Sequence, residues 1–388
     1  MARIAIIAAR RTPQGRFLGS LARLSAVDLA VAAGQAALGD LPEPKLAKSV
    51  DLTIVGNVLS AGAGMNVARQ VAVKLGLPIE GTAFSVNMMC ASGMKAIALG
   101  CQAIEAGAAR MVLCGGTESM SQTPHLLPRS RMGFKLGDAK LVDSLLNDGL
   151  VDAFDHQHMG LSAERLAREY SLSRTDQDAF AARSQRLYAE TAAAGRFAAE
   201  IVSVTGLGAD EHPRADTTVE SLAKLAPAFD PGGTVTAGNA SGINDGAALV
   251  VLCDAAFAAS HGIKPLAMIE DYAEAGCDPA RMGLGPVHAT RKLLDKSGCR
   301  IEDFDAIEIN EAFAAQTLSC VHELGLDPDS NSVNIDGGAI ALGHPIGASG
   351  ARLIVHLAHR IASGLSNQAL ASLCVGGGMG VAARLTRP

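Results

Sequence analysis

Residues 85–116 read SVNMMCASGMKAIALGCQAIEAGAARMVLCGG: a short β-prone run, a turn with glycine, an alanine-rich helical segment and a second apolar run. This order predicts a βαβ unit in a parallel sheet. Residues 332–376 repeat it, from Ser332-Val333-Asn334 through a glycine-rich turn and a helix over Ala351 to Ser363, to the strand Ala371-Ser372-Leu373-Cys374-Val375-Gly376.

The likeness extends further towards the N-terminus of each copy. Val50-Asp51 precedes a predicted strand that ends at Asn57, and Phe304-Asp305 precedes one that ends at Asn310. Each match is short, but their shared order indicates an internal duplication of an α/β unit. A duplicated unit offers a natural place for a site where its two halves meet.

The region between the copies has a different composition. From about residue 119 to 241 charge is dense, and two amphipathic helices follow. The second should begin at Ser173, where Asp176 completes a capping box, and end at Gly195. We therefore predict three domains: residues 1–118 plus 242–264, an inserted domain over 119–241, and residues 265–388.

Length and composition limit the class of protein. The chain has 388 residues, 48% of them hydrophobic, which is enough for two or more cores. Its 33 basic and 39 acidic residues give a net charge of −6, so nothing attracts it to nucleic acid or to an anionic membrane. No uncharged apolar run approaches the ~18 residues of a membrane span. We expect a soluble protein.

The eight cysteines at 90, 101, 114, 253, 277, 299, 320 and 374 include no Cys-x-x-Cys pair. This spacing argues against a zinc site or a redox dithiol, and no metal is predicted. Because no secretion signal is evident, the expected location is the reduced cytoplasm, where most cysteines are small core residues.

Cys90 stands out by its position between a strand and the start of a helix. The positive end of the helix dipole and the unpaired N–H groups there are expected to lower its pKa towards a thiolate. Ser92 and Gly93 let a ligand come close. On its position alone, a packed core cysteine is the more common interpretation.

His344 lies in GGAIALGHPIGASG, residues 337–350, which has five glycines in fourteen positions. Glycine permits close backbone approach and positive φ, and few structural loops need it so densely. Together with Pro345, this density favours a rigidly presented histidine with a functional role.

Cys374 ends a predicted strand and is followed by Val375 and a glycine run beginning at Gly376. Such a run can expose N–H groups to a developing oxyanion. A phosphate-binding loop is the alternative, but it is disfavoured because the run leads into another strand rather than a helix. Asn310-Glu311-Ala312-Phe313 follows a further strand.

Five blocks of this sequence are similar to the ordered signature blocks of thiolases. They are Asn87-Met88-Met89-Cys90-Ala91-Ser92-Gly93, Gly238-Asn239-Ala240-Ser241-Gly242, Asn310-Glu311-Ala312-Phe313, Gly343-His344-Pro345 and Cys374-Val375-Gly376-Gly377-Gly378. The resemblance runs from Ile4 to the last strand. It implies an α/β thiolase fold with five layers, αβαβα, made of two duplicated βαβαβαββ halves and an inserted loop domain.

The resemblance also implies roles for the catalytic residues. Cys90 would carry the acyl group, His344 would activate it, and Cys374 would move the proton at the α-carbon of the substrate. One oxyanion site would combine His344 with a water held by Asn310. The other oxyanion site would consist of the N–H groups of Cys90 and Gly376. These are the parts that a Claisen condensation requires. No metal or redox cofactor is needed.

By the same resemblance, the loop domain binds coenzyme A, and acetyl-CoA, acetoacetyl-CoA and CoA are the expected partners. The implied binding residues are His158, Met159, Arg214, Ser241, Ala312, Phe313, Leu150 and Phe229. Met159 would limit the acyl pocket to short chains. The basic segment 129–140 fits an ADP moiety, a solvated loop or an oligomer contact. A homotetramer, arranged as a dimer of dimers, is expected.

Several functions remain open. The first is a short-chain acetyl-CoA acetyltransferase, and the second is a broader or longer-chain 3-ketoacyl-CoA thiolase of β-oxidation. A decarboxylating or acyl-carrier-dependent ketosynthase usually has two catalytic histidines, where this chain has Asn310 and His344. A non-catalytic thiolase-like subunit is disfavoured because Cys90, His344 and Cys374 are all present.

Overall fold

A computed structural model describes residues 3–388. The strands are β1 (Ile4–Arg11), β2 (Gly15–Arg16), β3 (Val50–Gly56), β4 (Thr82–Val86), β5 (Met111–Ser119), β6 (His125–Leu126), β7 (Val142–Asp143), β8 (Asn244–Asp254), β9 (Ala267–Gly276), β10 (Ala306–Ile309), β11 (Gln368–Val375) and β12 (Met379–Thr386). The α-helices are α1 (Ala26–Gly39), α2 (Val67–Lys74), α3 (Ser92–Glu105), α4 (Met159–Glu169), α5 (Arg174–Ala193), α6 (Val219–Leu222), α7 (Ala255–Ser260), α8 (Gly285–Ser297), α9 (Ala314–Glu323), α10 (Ala339–Leu342) and α11 (Ile346–Ala362).

The sheet order shows the duplication directly. In the first half the order is β4-β3-β5-β8-β1, and in the second it is β10-β11-β12-β9, with Val333 bridged to Ile307 beside β10. Counted along each half, both therefore follow the order third, second, fourth, fifth, first. The halves join where Ile4 to Ile6 of β1 pair antiparallel with Ala267 to Ile269 of β9.

Helices form three layers around these sheet halves. α3 and α11 pack against each other between the halves. α1 and α2 cover the outer face of the first half, while α8 and α9 cover that of the second. The result is the predicted αβαβα sequence of layers. Because α11 lies in the middle layer, 14 of its 17 residues are buried.

Glycines bring the two central helices unusually close. A Cβ added at Gly93 would lie 2.9 Å from the carbonyl oxygen of Gly347, and one at Gly350 would lie 2.8 Å from Cβ of Met94. α11 begins at Ile346, five residues before the predicted start at Ala351. Pro345 is its N-cap residue, and its small first-turn residues pack against α3, which outweighs their low helix propensity.

Residues 119–241 carry β6, β7 and the helices α4 to α6. Ser173 and Asp176 form the predicted capping box at the start of α5, and Gly195 follows its end with φ +71°. α4 and α5 pack on α9, and α5 also contacts α10. We propose that residues 119–241 form a separate domain inserted into the first half. No helix within residues 3–388 is long and apolar enough to cross a membrane.

Candidate active site

The three candidate catalytic residues come from both halves and meet at one cavity. Cys90 lies two residues before α3, His344 lies two residues before α11, and Cys374 is the next-to-last residue of β11. The cavity has a volume of about 440 Å³, and all three side chains line it.

The turn before α3 presents Cys90 in a strained, braced conformation. Met89 has φ +47°, which side-chain-bearing residues rarely adopt. Ser92 braces it, because its Oγ accepts from the N–H of Met88 at 2.9 Å and donates to the carbonyl oxygen of Met89 at 2.6 Å. Residues before and after the cysteine are thereby fixed.

The predicted lowering of the pKa of Cys90 is wrong. The side chain is only 4% exposed, and this burial raises the pKa of the thiol to about 11. A hydrogen bond from the N–H of Gly376 acts in the opposite direction but is outweighed. Removing the solvent disfavours a thiolate more than the helix start favours it. Cys90 therefore needs a base.

His344 has the geometry of such a base. Ser349 Oγ donates to the carbonyl oxygen of Pro345 at 2.9 Å and lies 2.6 Å from Nδ1 of His344. With its proton directed at that carbonyl oxygen, the hydroxyl accepts from Nδ1–H, and the lone pair is then on Nε2. Nε2 is buried and has no hydrogen-bond partner among residues 3–388. Burial, with Arg352 nearby, lowers the pKa of His344 to about 3.

The backbone of His344 is held just as firmly. Its N–H donates to Oδ1 of Asn244 at 3.0 Å. Gly343 has φ +103°, and a Cβ there would come within 2.2 Å of the Asn244 amide carbon. Only glycine allows this approach.

Cys374 and Gly376 lie at the end of β11. Burial raises the pKa of the Cys374 thiol well above its usual value, and the nearby Cys90 acts in the same direction. A Cβ at Gly376 would lie 3.2 Å from Sδ of Met159. The glycine run continues into β12 at Met379, as expected for a strand connection rather than a phosphate-binding loop.

Asn310 follows β10 and is fully buried. Its N–H donates to the carbonyl oxygen of Ser372 at 2.9 Å. Neither polar atom of its side chain has a partner within the described part of the chain. Buried amides are nearly always hydrogen-bonded, so this one is suited to a small polar ligand or water. The backbone of Gly376 bonds Cys90, and neither Asn310 nor Gly376 lines the cavity itself.

All eight predicted binding residues line the cavity: Leu150, His158, Met159, Arg214, Phe229, Ser241, Ala312 and Phe313. The ring of His158 stacks on Phe229 at 4.5 Å, and Phe229 meets Phe313 edge-on at 6.0 Å. Nε and Nη2 of Arg214 are buried and have no partner among residues 3–388. The basic segment 129–140 lies outside the cavity.

Four residues that support or line the site were not predicted from the sequence. His212 lines the cavity, and burial, together with Arg214, lowers its pKa to about 4. Ser349 and Asn244 hold His344, as described above. Glu118 accepts hydrogen bonds from the N–H groups of Val58, Leu59 and Gly347 and from Nδ2 of Asn57. Ser349 could have been found, since it lies in the same glycine-rich block as His344.

Comparison with known families matches nearly the whole chain. Residues 4–256 match "Thiolase, N-terminal domain" and residues 263–387 match "Thiolase, C-terminal domain". The chain belongs to the thiolase family. It is 50% identical to the acetyl-CoA acetyltransferase of Chromobacterium violaceum, over 99% of this chain and 100% of that one. It is 51% identical to the acetyl-CoA acetyltransferase of Pseudomonas aeruginosa, over 99% of each.

A solved thiolase structure has the same fold. The human mitochondrial 3-ketoacyl-CoA thiolase in complex with CoA is 41% identical, with a TM-score of 0.96 over 100% of this thiolase and 98% of that chain. The predicted fold is thereby confirmed.

Proposed function

We propose that this thiolase is an acetyl-CoA C-acetyltransferase, which reversibly condenses two acetyl-CoA molecules to acetoacetyl-CoA and CoA. The observation that carries this proposal is the meeting of Cys90, Cys374 and the free Nε2 of His344 at one cavity. The names of relatives about half identical over nearly their whole length support the short-chain reaction.

In the first step, Sγ of Cys90 attacks the thioester carbonyl of acetyl-CoA while its proton passes to Nε2 of His344. The tetrahedral intermediate then expels the CoA thiolate, which takes up that proton, and acetyl-Cys90 remains. His344 suits this role because it is neutral and its Nε2 has no hydrogen-bond partner among residues 3–388. A thiol with a pKa near 11 needs such a base to become nucleophilic.

In the second step, Cys374 passes its thiol proton to His344, and the resulting thiolate removes a proton from the α-carbon of a second acetyl-CoA. The carbanion attacks the carbonyl of acetyl-Cys90, and the Cys90 sulfur leaves with the proton from His344 as acetoacetyl-CoA forms. The N–H groups of Cys90 and Gly376 would stabilise the oxyanion on the acetyl group. Asn310 and His344 would do so for the thioester oxygen of the second acetyl-CoA.

The experiment is brief exposure to acetyl-CoA, followed by mass spectrometry of peptides. One acetyl group should appear on the peptide with Cys90 in the wild type and be lost in Cys90→Ser. An acetyl group found only on another peptide would overturn the proposed mechanism. Thiolysis of acetoacetyl-CoA by free CoA, measured in parallel, tests the overall reaction.

A longer-chain 3-ketoacyl-CoA thiolase is the second candidate, and it is favoured by the close likeness to the human mitochondrial 3-ketoacyl-CoA thiolase. Met159 argues for the short-chain reaction because its sulfur occupies space beside Gly376. Comparing thiolysis of acetoacetyl-CoA with that of a long-chain 3-ketoacyl-CoA separates the two.

We also propose that the enzyme is cytoplasmic and assembles as a dimer of dimers. All eight cysteines are unpaired, which fits a reducing compartment. β4 ends the sheet order and carries an exposed Phe84, so it could pair with a second copy. In the segment 127–141, Met132 and Leu136 are 81% and 98% exposed, which suits a second contact. Light scattering of the wild type and Phe84→Asp tests this assembly.

A further inference from the structure

A buried histidine on α11 bridges two carboxylates behind the active site. His356 lies seven residues, about two helical turns, after Ser349, and it is 5% exposed. Its Nδ1 lies 3.1 Å from Oε2 of Glu200, and its Nε2 lies 3.2 Å from Oδ2 of Asp336. A ring that donates to a carboxylate from each nitrogen carries both protons and a positive charge.

The charge balance around the ring supports this protonation. Burial opposes the charge, but Glu200 and Asp336 outweigh it and raise the pKa of His356 to about 10. Within the described residues, the ion pairs of this buried cluster join four cations to four carboxyl groups. The cations are Arg11, Arg352, His356 and Arg360, and the carboxyl groups belong to Glu200, Asp210, Glu308 and Asp336. Two further basic groups lie close: Arg196, which contacts Asp336, and His359, which contacts the carbonyl oxygen of Ala9.

The two carboxylates belong to different parts of the chain. Glu200 lies in the region 119–241, and its Oε1 accepts from Nε of Arg11 on β1 at 2.7 Å. Asp336 lies in the segment that leads to His344, and it also accepts from Thr191 at the end of α5 at 2.9 Å. His356 therefore joins three parts: the loop domain, the central helix and the segment that carries the base.

Residues 336–344 are anchored at several points. The N–H of Gly338 donates to Oγ of Ser184 at 3.0 Å, and the N–H of Ile340 donates to Oε2 of Glu311 at 3.1 Å. Asn244 and Ser349 anchor His344 at the end of the segment. Asp336 is the first of these anchors, and it is the one that His356 contacts.

We propose that His356 is a positioning residue for His344: by clamping Asp336 against Glu200 it holds the first anchor of the segment that carries His344. The proposal rests on the base role proposed for His344. His356 touches no substrate, and its effect reaches the reaction only through Asp336 and the following turn.

The test compares His356→Gln with His359→Gln in the full-length enzyme. His359 is a matched control, since it lies on the next turn of α11 but bonds only the carbonyl oxygen of Ala9, at 2.7 Å. The His356→Gln variant should lower kcat at least about tenfold, with kcat calculated per enzyme molecule whose Cys90 can be acetylated, because small misplacements of a catalytic group slow the reaction strongly. KM should stay within about twofold of the wild-type value. Amide hydrogen exchange over residues 337–344 should quicken. His359→Gln should change neither.

Equal kcat in the two variants, or unchanged exchange over 337–344 in His356→Gln, would overturn the clamp. Amide hydrogen exchange does not depend on the enzyme reaction. If the wild-type enzyme thiolyses no 3-ketoacyl-CoA, the proposed function is refuted, but the exchange measurement still tests the role of His356. If the His356→Gln variant does not fold, nitrogen NMR of the wild-type enzyme tests the protonation of His356 instead. Both His356 nitrogens should stay protonated from pH 6 to 8.5, and a titration within that range would refute the imidazolium.

Discussion

The hydroxyl of Ser349 decides which nitrogen of His344 is free, and Ser349→Ala removes it. Nδ1–H then loses its acceptor in a fully buried place. Leaving such a group unsatisfied costs about 1–3 kcal/mol, which the imidazole can avoid by moving its proton to Nε2 or by turning. Either response takes the lone pair away from Cys90. At 1.36 kcal/mol per factor of ten, the rate should fall roughly 5- to 150-fold.

The assay follows acetylation of Cys90 by mass spectrometry on a rapid-quench timescale, together with thiolysis of acetoacetyl-CoA. Both should slow in parallel, because His344 takes part in forming the acetyl-enzyme. Ser319→Ala is the control. Ser319 is fully buried in α9, and its hydroxyl bonds the carbonyl oxygen four residues back at 2.8 Å, as that of Ser349 does. Both variants should lose similar stability, but only Ser349→Ala should lose rate.

Two results would contradict the reasoning. One is a Ser349→Ala enzyme that acetylates within twofold of the wild-type rate, since Nε2 would then be free without the hydroxyl. The other is an equal loss of rate in Ser319→Ala, which would assign the effect to general loosening of buried helices.

Three further predictions follow from the same contacts. The Cys374→Ser variant should still acetylate Cys90. Its rates of condensation, thiolysis and solvent deuterium exchange into acetyl-CoA should fall by about 10²–10⁴-fold, because a hydroxyl is too weak an acid to serve as the base. Deuterium exchange near the wild-type rate would show that Cys374 is only a core residue. The Met159→Ala variant should raise the ratio of kcat/KM for thiolysis of a six-carbon substrate to that for a four-carbon substrate. The change should lie within the ~1–3 kcal/mol that a methylene commonly contributes. An unchanged ratio would exclude Met159 as the residue that limits chain length. Because the pKa of His356 is raised to about 10, its contribution to stability is complete below the unfolded value of about 6.5 and is lost as pH rises towards 10. The difference in urea midpoint between the wild type and His356→Gln should therefore shrink across that range, and a constant difference would contradict the charged bridge.

Much of the fold could be predicted because the duplication and the hydrophobic periodicity can be recognised in short stretches of the sequence. The strand before Asn57 and the strand before Asn310 occupy the same place in the two sheet halves, as their shared order indicates. The capping box at Ser173 likewise needs only four neighbouring residues. The start of α11 could not be predicted, because it depends on how closely Gly347 approaches Gly93 on another helix.

The residues that meet at the cavity could be named from the sequence, but their electrostatics could not. Cys90, His344 and Cys374 each follow a recognisable local pattern. The depth of burial that raises the pKa of Cys90 depends on the opposite half of the molecule, which no local pattern reveals. His356 was missed for the same reason: its two partners lie 156 and 20 residues away.

The two halves explain why the site occurs only once in a duplicated chain. Cys374 is the next-to-last residue of β11, and the next-to-last residue of β5, the corresponding strand of the first half, is Glu118. Cys374 lines the cavity with Cys90, whereas Glu118 does not. Cys90 therefore comes from one half, and His344 and Cys374 come from the other. Their separation depends on the contact of α3 with α11, where a single methyl group at Gly93 would meet the backbone of Gly347 at 2.9 Å.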